Sequence, residues 1–258
     1  MAAEDAKRLI GESQFSDSFP GQSRNKLAVV HRVPLGTVLA IPPFNYPVNL
    51  AVSKVAPALV TGNAVVLKPP SQGALSALRM GALAHEAGVP TDLLQIVTGR
   101  GSRIGDYLVQ HPSVDLISFT GSSETGRDLA RKAGMIPLLM ELGGKDAAIV
   151  LADADLEAAA ADIVSGAFSY SGQRCTAVKR VLVMAEVADA LVAEIARRVA
   201  ALTVGLPQDN CTITPLVDPS SAEGAEHMIR AAVNAGATLV SGGTREQNLV
   251  QPPVLDHV

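Results

Sequence analysis

The sequence predicts an α/β fold built on a parallel sheet. Short β-branched runs alternate with alanine-rich segments of helical period, glycine and proline punctuate the junctions, and no internal repeat or low-complexity linker interrupts the pattern. The runs 38–41, 64–68, 94–97, 117–119 and 138–140 read as buried strands, being short, apolar and bounded by Gly, Pro or polar residues. Between them, 49–60, 71–87, 102–110 and 123–133 read as helices, with Gly88 placed as a C-cap glycine ahead of Pro90. The pattern continues with strand 147–150, helix 155–168, strand 180–184, helix 187–202, helix 221–235 and strand 238–240. A second α/β unit is therefore expected just after Gly144, dividing the chain into 1–143 and 144–258. The first residues read as the tail of a helix, and the end, GGTREQNLVQPPVLDHV, reads as mid-domain. In a parallel sheet of this kind ligands lie at the carboxyl ends of the strands, so the chemistry is expected to cluster there.

Composition narrows the function classes. Hydrophobic residues make up 48% of the 258 and charged residues 18%, enough apolar material for a packed core. A net charge of −4 with scattered Lys and Arg gives no electrostatic footprint for nucleic acid, and 3% aromatics with no Trp offers no base-stacking platform. Two cysteines make no disulfide framework, so a reducing, cytoplasmic setting is expected. No run of about 18 apolar residues is present, so no transmembrane helix is expected. The few histidines are dispersed, and no metal site is expected.

The chemistry-bearing stretches are short. In 170–180, YSGQRCTAVKR, Cys175 has Arg174 beside it, Gly172 before it and Lys179 and Arg180 behind it. Cationic neighbours favour a thiolate, whereas a cysteine in apolar surroundings is inert packing; both readings stand on the residues alone. Cys211, in DNCTITP, reads as structural. FTGSSETG, 119–126, leaves a strand and enters a helix, so Gly121 and Ser122 fall where backbone approaches a phosphate and a helix N-terminus attracts anions. It is neither a P-loop nor G-x-G-x-x-G, and structural glycines are the alternative. In VVLKPPSQG, 65–73, Lys68 ends a strand and reaches a ribose or phosphate, or is simply solvated. Ser71 stands where a carboxylate would repel a 2′-phosphate, so a nucleotide site here favours NADP. Glu141, in MELGGKDA, ends a strand before two glycines, as a general base or a surface carboxylate. Asn45, in PPFNYPV, is an oxyanion donor or a turn former.

In combination and order, PFNYP, LKPPSQG, FTGSSETG, ELGGK and GQRCT resemble the aldehyde dehydrogenase superfamily along essentially the whole chain. The stretches AGMIPLLMELGGKDAAIVLADADL and FSYSGQRCTAVKRVLVM resemble its NADP-dependent, non-phosphorylating glyceraldehyde-3-phosphate-oxidising branch. The resemblance implies a Rossmann-like cofactor domain followed by part of an α/β catalytic domain. It implies Cys175 as nucleophile forming a thioester, Asn45 and the Cys175 N–H as oxyanion donors, and Glu141 as the base that activates water. It also implies substrate contacts at Asn45, Tyr46, Arg174 and Thr176, and a cofactor site lined by Lys68, Ser71, Asp106, Gly121 and Ser122. Arg174 is suited to a substrate phosphate. The cofactor implied is NADP, the substrate a small aldehyde, and the assembly a homo-oligomer, usually a tetramer. Family chains are longer, so this chain reads as a fragment, expected to be poorly soluble or inactive by itself because uncovered apolar faces and sheet edges remain. Two other readings stay open: a dehydrogenase for another small anionic aldehyde or semialdehyde, and an inactive nucleotide-binding remnant.

Overall fold

Residues 2–258 are described by a computed structural model. The chain forms two compact units, one ending at Leu142 and the other running Gly143–Val258. In the first unit the elements follow in the order α1 (Ala2–Ala6), β1 (Glu12–Phe15), β2 (Leu27–Val30), β3 (Thr37–Ile41), α2 (Asn49–Val60), β4 (Ala64–Leu67), α3 (Ala74–Glu86), β5 (Leu94–Ile96), α4 (Gly101–Val109), β6 (Leu116–Thr120), α5 (Ser123–Lys132) and β7 (Leu138–Glu141). The last five strands form one parallel sheet in the spatial order β5-β4-β3-β6-β7.

β3 shows why the sheet is sandwiched. Its Val38 and Ala40 pack with Ala51, Val55 and Ala58 of α2 and Ala77 of α3 on one face. Leu39, one residue out of phase, packs with Ile117 and Phe119 of β6, Val109 of α4 and Leu129 of α5 on the other. Burial of both faces is what a parallel strand with helical crossovers requires, and it accounts for the uninterrupted apolar run in the sequence. The α5 helix starts cleanly because Ser122 caps it, its Oγ accepting from Thr125 N at 3.1 Å.

The second unit comprises β8 (Asp146–Val150), α6 (Leu156–Phe168), β9 (Val178–Val183), α7 (Ala185–Ala200), α8 (Pro219–Asn234), β10 (Thr238–Ser241), β11 (Arg245–Glu246), β12 (Leu249–Val250) and β13 (Val254–Asp256). β8 and β9 pair in parallel, and β10 with β13 and β11 with β12 in antiparallel fashion. Val150, Ala160, Ile163, Val164, Leu191, Ile195 and Val199 form its core. The alternate positions of the β8–β9 pair, Ile149 and Leu182, are 71% and 56% exposed. Several boundaries differ from the sequence reading. Helix α3 begins at Ala74, not 71, because Ser71 lies in a turn after Pro69 and Pro70. Helix α8 begins at Pro219, capped by Asp218, whose side chain accepts from Ser221 N at 2.8 Å. The β1–β2 ribbon and strands β11–β13 have no counterpart in the sequence-based elements.

Candidate active site

The chain runs β3 to β4 to β5 in one direction across the sheet, then returns to place β6 on the other side of β3. That reversal opens a crevice at the carboxyl ends of β3 and β6, the place where open α/β sheets bind ligands. The half-buried Asn45 and Tyr46 sit on the loop leaving β3, and Tyr46 O accepts from Leu50 N as α2 begins. Gly121 and Ser122 leave β6 and enter α5. A side chain at 121 would meet the Phe119 ring, so the bare glycine lets the backbone turn here without displacing a core aromatic.

Lys68 follows β4 directly. Its N–H donates to Ala40 O at 2.9 Å, which pins it to the neighbouring strand. The residue is only 8% exposed, and its ammonium has no ion-pair or hydrogen-bond partner among the described residues. Burial pushes its pKa below the ordinary lysine value of 10.5. Ser71 is exposed on the turn three residues on. Asp106 projects from α4 and is already engaged: Lys132 Nζ of α5 lies 2.8 Å from its Oδ1 and also pairs with Asp128 at 2.7 Å. Glu141 ends β7, exposed, with its backbone carbonyl accepting from Gly121 N at 3.1 Å.

Sequence reasoning missed Lys54. It lies on the same face of α2 as the buried Ala51, Val55 and Ala58, at a spacing that marks the core side of a helix, so a lysine there was the available signal. It is 8% exposed, and its Nζ donates to Thr120 Oγ1 at 2.7 Å and Ser118 Oγ at 3.4 Å. Burial lowers its pKa, while the negative charge of Glu141 works in the opposite sense. A buried cation is thus tied to the end of β6 and felt by the carboxylate at the end of β7.

In the second unit Arg174, Cys175 and Thr176 occupy the loop that joins α6 to β9. The approach is unusual: Tyr170, Ser171 and Gly172 have φ of 57°, 54° and 72°, three successive residues in the left-handed region. Such backbone persists where surroundings enforce it. Here Ser171 Oγ accepts from Thr214 N at 2.9 Å and Gln173 Oε1 accepts from Val217 N at 2.8 Å. Arg174 Nη2 donates to Gly166 O at 2.6 Å, near the C-terminus of α6, and its buried Nε has no hydrogen-bond partner. Cys175 and Thr176 are exposed. Cys211 is half-buried and also free. Among the described residues no cluster of His, Cys, Asp or Glu is suited to a metal, and no helix is long and apolar enough to cross a membrane.

The family model of the aldehyde dehydrogenase family matches residues 1–258. The chain belongs to the aldehyde dehydrogenase family. Its relatives include the NADP-dependent glyceraldehyde-3-phosphate dehydrogenase of Nicotiana plumbaginifolia, 58% identical over 99% of this chain and 52% of that protein. That of Scenedesmus vacuolatus is 56% identical over 85% of this chain and 94% of the relative. The crystal structure of the Bacillus halodurans C-125 enzyme of the same name, complexed with NADP, matches with a TM-score of 0.93 at 57% identity, over 100% of this chain and 54% of that one. The chain thus spans about half the length of most of the relatives it matches.

For an aldehyde dehydrogenase chain the first unit fits a phosphate-bearing dinucleotide on its own geometry. It offers the unpartnered ammonium of Lys68, a residue only 8% exposed, at the end of β4, a capped helix N-terminus after β6 and a neutral Ser71 in the turn beyond. If Lys68 carries a ligand phosphate, affinity for NADP is expected to hold through neutral pH and fall on the alkaline side, below the ordinary lysine range. The ammonium is the binding form, and burial makes it lose its proton earlier than a free lysine. Calorimetric titration against pH checks this. A Lys68→Met chain with the same alkaline fall would contradict it.

Proposed function

We propose that the chain carries the nucleophile, general base and cofactor-binding residues of a non-phosphorylating, NADP-dependent glyceraldehyde-3-phosphate dehydrogenase. The observation that carries this reading is the identity of more than half along nearly the whole chain with proteins of that activity. The first unit is then the cofactor domain and the second part of the catalytic domain.

The steps follow from the groups named. The Cys175 thiolate adds to the aldehyde carbon, and the developing oxyanion is held by the Asn45 amide and the Cys175 N–H. NADP, held by Lys68, Ser71, Asp106, Gly121 and Ser122, supplies the two-electron acceptor when bound. The acyl group then rests on Cys175 as a thioester. Glu141 takes a proton from water, the oxygen attacks the thioester carbonyl, the C–S bond breaks and the thiolate leaves with 3-phosphoglycerate as product. Arg174, Tyr46 and Thr176 contact the substrate. The Gly166 carbonyl holds the Arg174 guanidinium in place, so a substrate phosphate would meet a cation that is already oriented. Two free thiols agree with a cytosolic setting. The exposed Phe15, Leu27, Val29 and Val30 of the β1–β2 ribbon support a homo-oligomer.

The reading is tested by supplying glyceraldehyde 3-phosphate and NADP without inorganic phosphate, to this chain and to one extended at both ends. NADPH and 3-phosphoglycerate are expected in equal amounts. Oxidation that requires inorganic phosphate would overturn it. Cofactor choice has its own test. Ser71→Glu places a carboxylate on the turn beyond Lys68, and the ratio of NADP to NAD use is expected to fall by about tenfold or more from Coulomb repulsion of the 2′-phosphate. An unchanged ratio would remove Ser71 from the cofactor site.

A further inference from the structure

Behind Cys175 lies a cation that none of these steps uses. Lys179 is the second residue of β9 and its unpaired one: Val178 and Arg180 on either side pair with Asp146 and Ala147 of β8, and the register shifts between them. Its Nζ donates to Arg174 O at 3.1 Å, Cys175 O at 2.7 Å and Ala177 O at 2.8 Å. An ammonium has three hydrogens, and all three are spent on carbonyls of the nucleophile loop. The neighbouring Arg180 anchors the same strand, donating twice to Lys145 O at 3.1 and 2.7 Å.

The consequence for Cys175 follows from peptide geometry. The Arg174 carbonyl and the Cys175 N–H belong to one planar trans peptide and point in opposite directions. Holding Arg174 O against the ammonium therefore aims the Cys175 N–H away from Lys179. Arg174 O also accepts from Ala177 N at 3.3 Å, a second restraint on the same plane. The Cys175 N–H itself donates to no other group among the described residues, so it remains available to a ligand. On the other side, a Cβ at Gly144 would come within 3.2 Å of Cys175 O and 2.6 Å of Asp146 Oδ1. The bare glycine lets the Cys175 carbonyl settle between the ammonium and the 143–145 backbone. Burial holds the Lys179 pKa below the ordinary lysine value, with Asp146 and Cys175 working in the opposite sense and Lys145 and Arg174 adding to the lowering.

We propose that Lys179 is a positioning residue whose ammonium fixes the Arg174–Cys175 peptide so that the Cys175 N–H stands ready for the oxyanion. The proposal rests on the reading of Cys175 as nucleophile. Because the chain has only two cysteines, selective 15N-cysteine labelling gives two amide resonances, assigned with Cys211→Ser. Lys179→Met keeps the stem and removes the donors. It is expected to shift or split the Cys175 resonance and leave that of Cys211 in place, while Lys179→Arg, which still donates to carbonyls, restores the parent position. In the phosphate-free assay kcat is expected to fall about ten- to a hundredfold with KM within about twofold, because the oxyanion exists only along the reaction path. A Lys179→Met chain in which neither resonance moves, or both move alike, overturns the proposal. A Cys175-only shift, with no NADPH formed even by the parent sequence extended at both ends, supports the clamp and overturns the activity reading instead.

Discussion

Cys175→Ser is expected to abolish NADPH formation while leaving NADP binding intact. Serine preserves size and the loop, so the left-handed turn at 170–172, the Arg174–Gly166 contact and the Lys179 contacts have no reason to change. What is lost is an intrinsically nucleophilic sulfur; a serine hydroxyl with no dedicated base is a far weaker nucleophile. The loss is expected to be at least about a thousandfold in kcat/KM, as for removal of other covalent nucleophiles. Calorimetry with NADP is the control, because Lys68, Ser71 and Gly121 lie in the other unit. A variant that retains a tenth of the parent rate would end the covalent mechanism.

Glu141→Gln separates acylation from hydrolysis. The amide is isosteric, and the Glu141 backbone carbonyl that accepts from Gly121 N is untouched, so the end of β7 keeps its place. Only the capacity to take a proton from water disappears. A burst of about one NADPH per active chain is expected, followed by steady turnover reduced roughly a hundred- to ten-thousandfold, the range general-base catalysis supplies. Rapid-mixing absorbance measurements separate the two phases. Loss of the burst along with the steady rate would place Glu141 in acylation, and an unaltered steady rate would exclude it as the base.

Much of this architecture was legible in the sequence, for a physical reason. The strands β3, β4 and β6 are buried on both faces, so they appear as short apolar runs without alternation, and the loops that follow them carry Asn45, Lys68 and Gly121. Local chemistry misled where the backbone departs from its commonest pattern. Ser71 reads as a helix start, yet Pro69, Pro70 and the left-handed Gly73 hold it in a turn. The β1–β2 ribbon is exposed at every position, so no burial pattern marks it. Tyr170 and Ser171 have positive φ with no glycine to announce it.

Lys54 and Lys179 were hidden for different reasons. The role of Lys54 depends on α2 packing over β3 and β4, from where its side chain reaches Thr120 of β6, 66 positions away. Lys179 was visible as a cation near Cys175, but its contacts depend on carbonyl directions that residue types do not encode.

The covalent mechanism stands or falls on where the acyl group resides. Mixing the chain, extended at both ends, with glyceraldehyde 3-phosphate and NADP, quenching in acid within the first turnover and mapping the digested peptides by mass locates it directly. A 3-phosphoglyceryl thioester on the peptide holding Cys175, with the Cys211 peptide unmodified, is the predicted result. NADPH formed with no acylated cysteine, or with the acyl group on Cys211, would contradict it.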